Sequence, residues 1–159
     1  MGPLDAYLEK TGTVVEHMAL ALEQIPEGKA LWKPCEKALP WMYLLSHNAL
    51  QRILFMKCAN GEPVDLAAAK RDPAFQSKNP MDAAAMVRRI WVEHVAFLKS
   101  KPDDFLKSSV VPFWGGTALA VERMLGWMYE ENVHHRGQAW IYARMNGITP
   151  PSIWGTERR

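Results

Sequence analysis

The sequence predicts an all-α protein built as a four-helix bundle with long connecting loops. Four long segments repeat apolar residues at helical spacing, and no convincing alternating strand pattern is present. The 159 residues, 48% of them hydrophobic, are enough for one domain with a substantial core. We therefore expect residues 1–159 to form a single domain, in which seven Trp and nine Met fill the interior and the walls of a pocket.

The first two helices are predicted from apolar periodicity and from residues that commonly begin and end helices. The first runs from about Pro3 to Gln24. The second begins near Pro40, an acceptable first-turn proline, and ends near Asn60-Gly61, a usual C-terminal stop. The long link 62–79 is expected to hold one short turn over Leu66–Lys70 and to be interrupted by Pro73.

The third and fourth helices follow the same logic. The third begins after Asn79-Pro80, a cap followed by a first-turn proline, and ends near Lys101-Pro102. A second irregular link, 103–116, leads to a fourth helix from about Thr117 to Asn146-Gly147. The tail 148–159 opens with two prolines and is not helical there. Because two links are long, we expect at least one connection to cross over the bundle.

The bulk charge and the cysteines exclude several classes of function. There are 19 basic and 17 acidic residues, a formal net charge of +2, which gives no support for a nucleic-acid or anionic membrane partner. Cys35 and Cys58 form neither a CxxC pair nor a disulfide framework, which favours a reduced intracellular compartment. No signal peptide or apolar stretch of membrane-spanning length is visible, so we expect a cytoplasmic protein.

The most informative pattern is an apolar stripe in the fourth helix that three polar residues interrupt in its middle. Spacings of three and four place the stripe on one helix face, and its apolar ends should face the core. Polar groups on such a face destabilise the fold unless they find partners, so something must satisfy them. The stripe consists of Val121, Met124, Met128, Glu131, His135, Gln138, Tyr142 and Met145.

Glu131 and His135 are the leading candidates for a metal site. A carboxylate and an imidazole four residues apart point the same way from one helix, and both are common metal ligands. A second imidazole, His47, lies in the apolar second helix, where it needs a hydrogen-bond partner or a metal. Two other interpretations remain open. Each histidine can be a satisfied core residue, and Glu131 can form a buried pair with His or Arg that only stabilises the core.

The last third of the chain contains His134-His-Arg-Gly-Gln138 and then Tyr142-Ala-Arg-Met-Asn-Gly-Ile-Thr-Pro-Pro151. Together these segments resemble the C-terminal signature of the DinB-like (DinB/YfiT) superfamily. The helix that carries His47, preceded by Trp32-Lys-Pro, resembles that family's first metal-ligand helix. The resemblance implies an up-up-down-down four-helix bundle, usually a homodimer. It also implies a divalent metal held by three histidines, one on the second helix and two on the fourth.

Carried over by position, the resemblance assigns the metal ligands to His47, residue 131 and His135. The sequence departs from the family pattern here, because residue 131 is Glu rather than His. A set of two histidines and one carboxylate suits Zn²⁺ with an open water position, and Ni²⁺, Mn²⁺ or Fe²⁺ equally well by ligand type. The other outcome is a weakened or lost metal site in which Glu131 pairs with a histidine. We expect binding to be retained, because Glu is a competent ligand.

The resemblance and the ligand set together predict a metal-dependent hydrolase or a thiol S-transferase that acts on a small molecule. Gln138 is expected to orient a ligand or a water, and Trp114 to form part of the pocket wall. The alternative is a non-catalytic homodimer, a stress-associated binding or structural protein with a degenerate metal site. We expect a homodimer in either case, and the charge balance argues against nucleic-acid binding.

Overall fold

The computed structural model describes residues 2–71 and 76–154, which are almost entirely helices and connecting loops. A two-stranded antiparallel sheet and one 3-10 turn interrupt the last long connection. The helices are α1 (Pro3–Glu23), α2 (Trp41–Ala59), α3 (Leu66–Arg71), α4 (Pro80–Lys99) and α5 (Val121–Met145), the turn is Phe105–Lys107, and the strands are β1 (Ser109–Val110) and β2 (Leu119–Ala120).

The sequence signals for helix ends act as expected. Asn79 caps α4 by accepting a hydrogen bond from the backbone N–H of Asp82 at 2.9 Å, and Pro80 occupies the first turn. After α5 the chain turns at Gly147, whose φ of 73° lies in the left-handed region that favours glycine. The predicted limits of the first three long helices are therefore confirmed to within about two residues.

Contacts between side chains give the direction of each long helix. α4 runs antiparallel to α1, α5 runs parallel to α1, and α2 runs parallel to α4. The contacts are Tyr7–His94 and Glu16–Arg88 between α1 and α4, Lys10–Tyr129 and His17–Trp140 between α1 and α5, and Arg52–Trp91 and Phe55–Phe97 between α2 and α4.

In chain order the four long helices therefore run up, down, down, up. The all-α four-helix bundle with long connections is confirmed, whereas the order of directions differs from the up-up-down-down order that the resemblance implied. The crossover is the link between α2 and α4. Because α2 and α4 are parallel, the chain between them must return along the whole length of a helix, about 28 Å for the 19 residues of α2. Only a long link can span this distance.

Two features of the last connection were not predicted. The fourth long helix begins at Val121 rather than near Thr117, because Leu119 and Ala120 pair with Val110 and Ser109 in the small sheet. Strands of two residues carry too little alternation to be recognised in a sequence. At the other end of the same helix, Met145 is 58% exposed and does not join the core as the stripe suggested.

The core lies between two helix pairs, because α1 and α2 pack mainly against α4 and α5 rather than against each other. This arrangement brings the middle of α2 next to the middle of α5, where the polar residues of the stripe lie. The short turn predicted over Leu66–Lys70 is confirmed as α3. Pro73 and residues 155–159 of the tail lie outside the described residues. None of the described helices has the length and apolar character needed to span a membrane.

Candidate metal centre

His47, Glu131 and His135 lie together where α2 faces α5. One potential ligand atom from each of the three side chains lies within 4.8 Å of the other two, and no other group of metal-ligating side chains comes together in this way within residues 2–71 and 76–154. Glu131 and His135 are one turn apart on α5, and His47 approaches them from α2. The sequence-predicted ligands are therefore neighbours in space.

Each imidazole of the cluster is oriented by a hydrogen bond from its Nδ1. The Nδ1–H of His47 donates to the backbone carbonyl of Tyr43 at 3.1 Å, and that of His135 donates to Oε1 of Gln138 at 2.8 Å. Both acceptors can only accept, so in the neutral imidazoles the lone pair is on Nε2. Histidines that bind metals are commonly oriented in this way.

Both Nε2 atoms approach the same carboxylate oxygen. Oε1 of Glu131 lies 3.7 Å from Nε2 of His47 and 3.5 Å from Nε2 of His135. These distances are too long for good hydrogen bonds. Ligands held about 2.1 Å from a tetrahedral ion lie about 3.4 Å from one another. The two distances from the carboxylate oxygen to the imidazole nitrogens therefore resemble those between ligands of a shared divalent ion.

The electrostatics of the cluster keep the carboxylate ionised. When their Nε2 atoms carry a proton, the imidazole of His135, and then that of His47, hold the pKa of Glu131 well below its usual range, while partial burial acts in the opposite direction. The Glu131 side chain is 41% exposed, and those of His47 and His135 are 12% and 11% exposed. The cluster is thus shielded on the histidine side and open to solvent at its carboxylate.

A cavity of about 360 Å³ lies beside His47. The ring of Tyr43 stacks on the His47 imidazole, with centroids 5.3 Å apart and planes inclined by 22°. Among the described residues the lining is largely apolar, and its polar members besides Tyr43 and His47 are Ser46, Lys70, Gln76 and Ser77. Small-molecule sites commonly combine apolar walls with few polar groups. The apolar lining residues are Leu31, Pro40, Met42, Leu50 and Met86.

A larger groove, of about 790 Å³, lies between α5 and the C-terminal segment. Its lining includes Arg136, Trp140, Arg144 and Trp154, and none of the three clustered side chains. Size alone would favour this groove as a ligand site. The smaller cavity is the better candidate for chemistry, because it is the one that reaches a potential metal ligand.

The two predicted accessory residues have different surroundings. Gln138 lies beside the cluster and holds His135 through the hydrogen bond described above. Trp114 is 51% exposed and packs edge-on against Phe113 and at a tilt against Trp127, with centroids 4.8 and 6.1 Å away. It does not line the cavity beside His47. Ligand binding by Trp114 therefore stays a prediction, and Trp114 has no contact with that cavity.

The sequence reasoning missed a second polar group next to the cluster. Asn48 and Asn132 follow His47 and Glu131 directly in the chain, and both are 1% exposed. The guanidinium of Arg52, also 1% exposed, donates to the backbone carbonyl of Asn48 and to Oδ1 of Asn132. Asn132 lies one position off the predicted stripe, and an arginine is rarely assigned to a core from sequence.

The clustered residues lie in a part of the chain that matches a known protein family. The family model described as DinB family matches residues 16–158, nearly the whole chain. The chain belongs to the DinB family. This match includes all three clustered side chains and confirms the resemblance seen in the C-terminal segments. No functionally curated protein matches this sequence.

Solved structures of similar fold support the same conclusion. The DinB-like protein YjoA of Bacillus subtilis is 19% identical, with a TM-score of 0.66 over 94% of this chain and 99% of its own. A DinB-like protein of Bacillus cereus is 16% identical, with a TM-score of 0.75 over 93% and 95%. YfiT of Bacillus subtilis is 15% identical, with a TM-score of 0.72 over 92% and 89%, and is described as a probable metal-dependent hydrolase with an unusual four-helix bundle topology. At these identities the likeness concerns the fold.

Proposed function

We propose that this DinB-family protein is a metal-dependent hydrolase in which His47, Glu131 and His135 hold one divalent transition metal ion. The observation that carries the proposal is the approach of both Nε2 atoms to Oε1 of Glu131, at 3.5 and 3.7 Å, with each Nδ1 already occupied. YfiT, whose fold is similar, is described as a probable metal-dependent hydrolase.

The donor set fits such an ion chemically. Two neutral imidazoles and one carboxylate form a common ligand set for Zn²⁺ in hydrolytic sites, and the same set accepts Mn²⁺, Fe²⁺ or Ni²⁺. Glu131 replaces the histidine of the family pattern without loss of a donor atom, and a glutamate carboxyl is in the ionised, ligating form at neutral pH. When bound, a divalent ion supplies Lewis-acid chemistry and lowers the pKa of a coordinated water.

The residues of the chain perform the remaining tasks. Tyr43 and Gln138 fix the two imidazoles, so that little reorganisation is needed on ligand binding. The cavity beside His47, with its largely apolar walls, is large enough for a small molecule. Glu131, the most exposed member, leaves the solvent side of the cluster accessible to the reacting group.

A test of hydrolase function compares the metal-free protein with the protein reloaded with Zn²⁺, Mn²⁺, Ni²⁺ or Fe²⁺. The assay follows hydrolysis of small chromogenic esters, amides and phosphoesters. We expect at least about a hundredfold higher kcat/KM for one substrate class with metal, since a metal-activated nucleophile lowers the barrier by several kcal/mol. The same rate with chelator as with metal, for every substrate, would contradict the proposal.

The matched control for this test is the neighbouring histidine. His135→Ala should lose the metal-dependent rate, whereas His134→Ala should keep it, because His134 is exposed and lies outside the cluster. Equal activity of the two variants would show that the hydrolysis takes place elsewhere.

Thiol S-transfer and homodimer assembly remain proposals that these observations support less directly. A thiolate is also a ligand for the same ions, so the reloaded protein should be assayed with a thiol and an electrophile as well. The non-catalytic alternative has one favourable observation, which is that Glu131 and the two histidines can satisfy one another as charges without an ion. An unchanged melting temperature after chelation, with no metal bound, would favour that alternative.

A further inference from the structure

Arg52 is a buried cation at the centre of the bundle. Its Nη1 donates to the backbone carbonyl of Asn48 at 3.0 Å, its Nη2 donates to Oδ1 of Asn132 at 2.9 Å, and its guanidinium lies 5.4 Å from the ring of Trp91. The amide of Asn132 is itself fixed, because its Nδ2 donates to the backbone carbonyl of Met128. Among the residues that the structure describes, no carboxylate forms an ion pair with Arg52.

The titratable groups that face Arg52 do not supply a negative charge. Burial, partly offset by the charge of Arg52, raises the pKa of Tyr7 to about 12, so its phenol is neutral at physiological pH. Burial first, and then the charge of Arg52, place the pKa of His94 well below its usual range, so its imidazole is neutral as well. The positive charge therefore has no described counter-charge.

Two hydrogen-bond donors at this cation also lack a partner. They are Nε of Arg52 and Nδ2 of Asn48, and Oδ1 of the same Asn48 amide has no partner either. The phenol of Tyr7 forms a hydrogen bond with Thr11 and lies 3.4 Å from Nε2 of His94, whose buried Nδ1 has no partner.

These groups form one layer that spans the bundle, with Tyr7 and Thr11 on α1, Asn48 and Arg52 on α2, His94 on α4 and Asn132 on α5. We call it the Arg52 layer. A buried charge without a partner is strongly destabilising, and each unsatisfied buried donor costs about 1–3 kcal/mol. An anion accepts hydrogen bonds from both donors and cancels the charge. A water molecule can serve both donors and Oδ1 of Asn48, but it leaves the charge in place.

We propose that the Arg52 layer binds a small monovalent anion, with the size and charge of chloride, between α1, α2, α4 and α5. The site shares no side chain with the cluster of His47, Glu131 and His135. It is therefore independent of the proposed hydrolase function, and either proposal can fail while the other holds.

The test measures thermal unfolding of the full chain while chloride replaces gluconate at constant ionic strength. A chelator is present throughout, so that chloride cannot act as a ligand of a metal at the other cluster. Above the dissociation constant we expect the melting temperature to rise by about 3–6 °C per tenfold increase in chloride, since only the folded state binds the ion. A melting temperature that does not respond to the exchange of anions would overturn the proposal.

The same substitution at two arginines separates a specific site from a general salt effect. Arg52→Met should abolish the chloride dependence. Arg88→Met should keep it, because Arg88 lies in α4 at the protein surface and pairs with Glu16 and Glu23. Chloride dependence that persists in Arg52→Met would contradict the assignment of the site.

A second measurement uses the unmodified protein and so does not depend on the folding of the Arg52→Met variant. Crystals grown in bromide should show an anomalous scattering peak beside Nε of Arg52 and Nδ2 of Asn48. Ordered water at that place, with no anomalous signal, would overturn the proposal.

Discussion

Two polar layers lie next to each other in this bundle, and they differ in charge balance and in access to solvent. The cluster of His47, Glu131 and His135 contains a carboxylate for its imidazoles, and that carboxylate is 41% exposed. The Arg52 layer is almost fully buried, and its cation forms an ion pair with no carboxylate among the described residues. Both layers use α2 and α5, and Asn48 and Asn132 are the chain neighbours of two cluster members.

The difference shows that the same pair of helices, α2 and α5, can carry a solvent-accessible cluster and a buried layer that stabilises the fold. Small molecules can reach the cluster from solvent, and the Nε2 atoms of its oriented imidazoles remain free to bind a ligand. The Arg52 layer cannot exchange partners without opening the bundle, so its hydrogen bonds hold α2 against α5 just beside the proposed metal ligands. Consecutive residues of α5 project about 100° apart, so Glu131 belongs to the cluster and Asn132 to the Arg52 layer.

The largest effect should follow from removal of a metal ligand. His135→Ala is expected to weaken Zn²⁺ binding by about a thousandfold, because only one histidine and Glu131 then remain. Isothermal titration calorimetry at neutral pH measures the change. His134→Ala, one position along the same helix, should bind Zn²⁺ as the unmodified protein does. A similar loss in both variants would mean that helix stability rather than coordination had changed.

The next largest effect should come from the Arg52 layer and should appear in stability. Asn132→Leu removes the acceptor of the Arg52 Nη2 and is expected to lower the free energy of unfolding by about 2–3 kcal/mol. Urea denaturation measures it. The double variant Arg52→Met/Asn132→Leu should recover much of the loss, because no buried charge is then left without its partner. Additive losses in the double variant would show that the two side chains are not coupled.

A third prediction concerns alkaline pH. Burial raises the pKa of Tyr7 to about 12 in the folded protein, above its ordinary value of 10.0, so the neutral phenol favours folding. That stability is fully present below pH 10 and is lost as pH rises from there through the folded pKa. The loss is about 1.4 kcal/mol per pH unit, or roughly 2–3 kcal/mol in total.

The measurement for Tyr7 compares unfolding free energies at several alkaline pH values in the parent and in Tyr7→Phe. The variant should show the weaker pH dependence. Absorbance at the tyrosinate band titrates the tyrosines independently, and one phenol, that of Tyr7, should ionise at a higher pH than the others. Identical pH profiles of the two proteins would contradict the buried, neutral state of Tyr7.

The smallest effect should come from the group that orients His135. Gln138→Leu removes the acceptor of the Nδ1–H and is expected to weaken Zn²⁺ binding by about tenfold. Gln138→Glu keeps an acceptor and should restore binding, since carboxylates commonly hold metal-binding imidazoles. If the Leu variant binds Zn²⁺ as tightly as the parent, the orienting role is wrong.

The fold could be predicted largely from local signals. Helical periodicity and the caps at Asn79-Pro80 and Asn146-Gly147 located the long helices, because these effects act within one or two turns. The small sheet and the order of helix directions could not be predicted from spacing. Pairing of Val110 with Leu119 and the crossover between α2 and α4 depend on contacts between residues distant in the chain.

The candidate cluster was predictable for a different reason on each helix. Glu131 and His135 are four residues apart on an apolar face, which is a local pattern, whereas His47 was chosen through the family resemblance. Arg52 gave no signal, because an arginine in a helix is normally exposed and its burial depends on the other three helices. The surroundings of Trp114 were also unpredictable, since they depend on how a loop packs against Trp127.

The most direct test of the central claim is the metal content of the purified, untagged protein and of Glu131→Ala, measured by elemental analysis after incubation with Zn²⁺, Ni²⁺, Mn²⁺ and Fe²⁺. The account predicts close to one equivalent of one metal in the parent and a large loss in the variant, because the carboxylate oxygen is the donor that both Nε2 atoms approach. The absence of metal from both proteins, or equal occupancy in both, would contradict it.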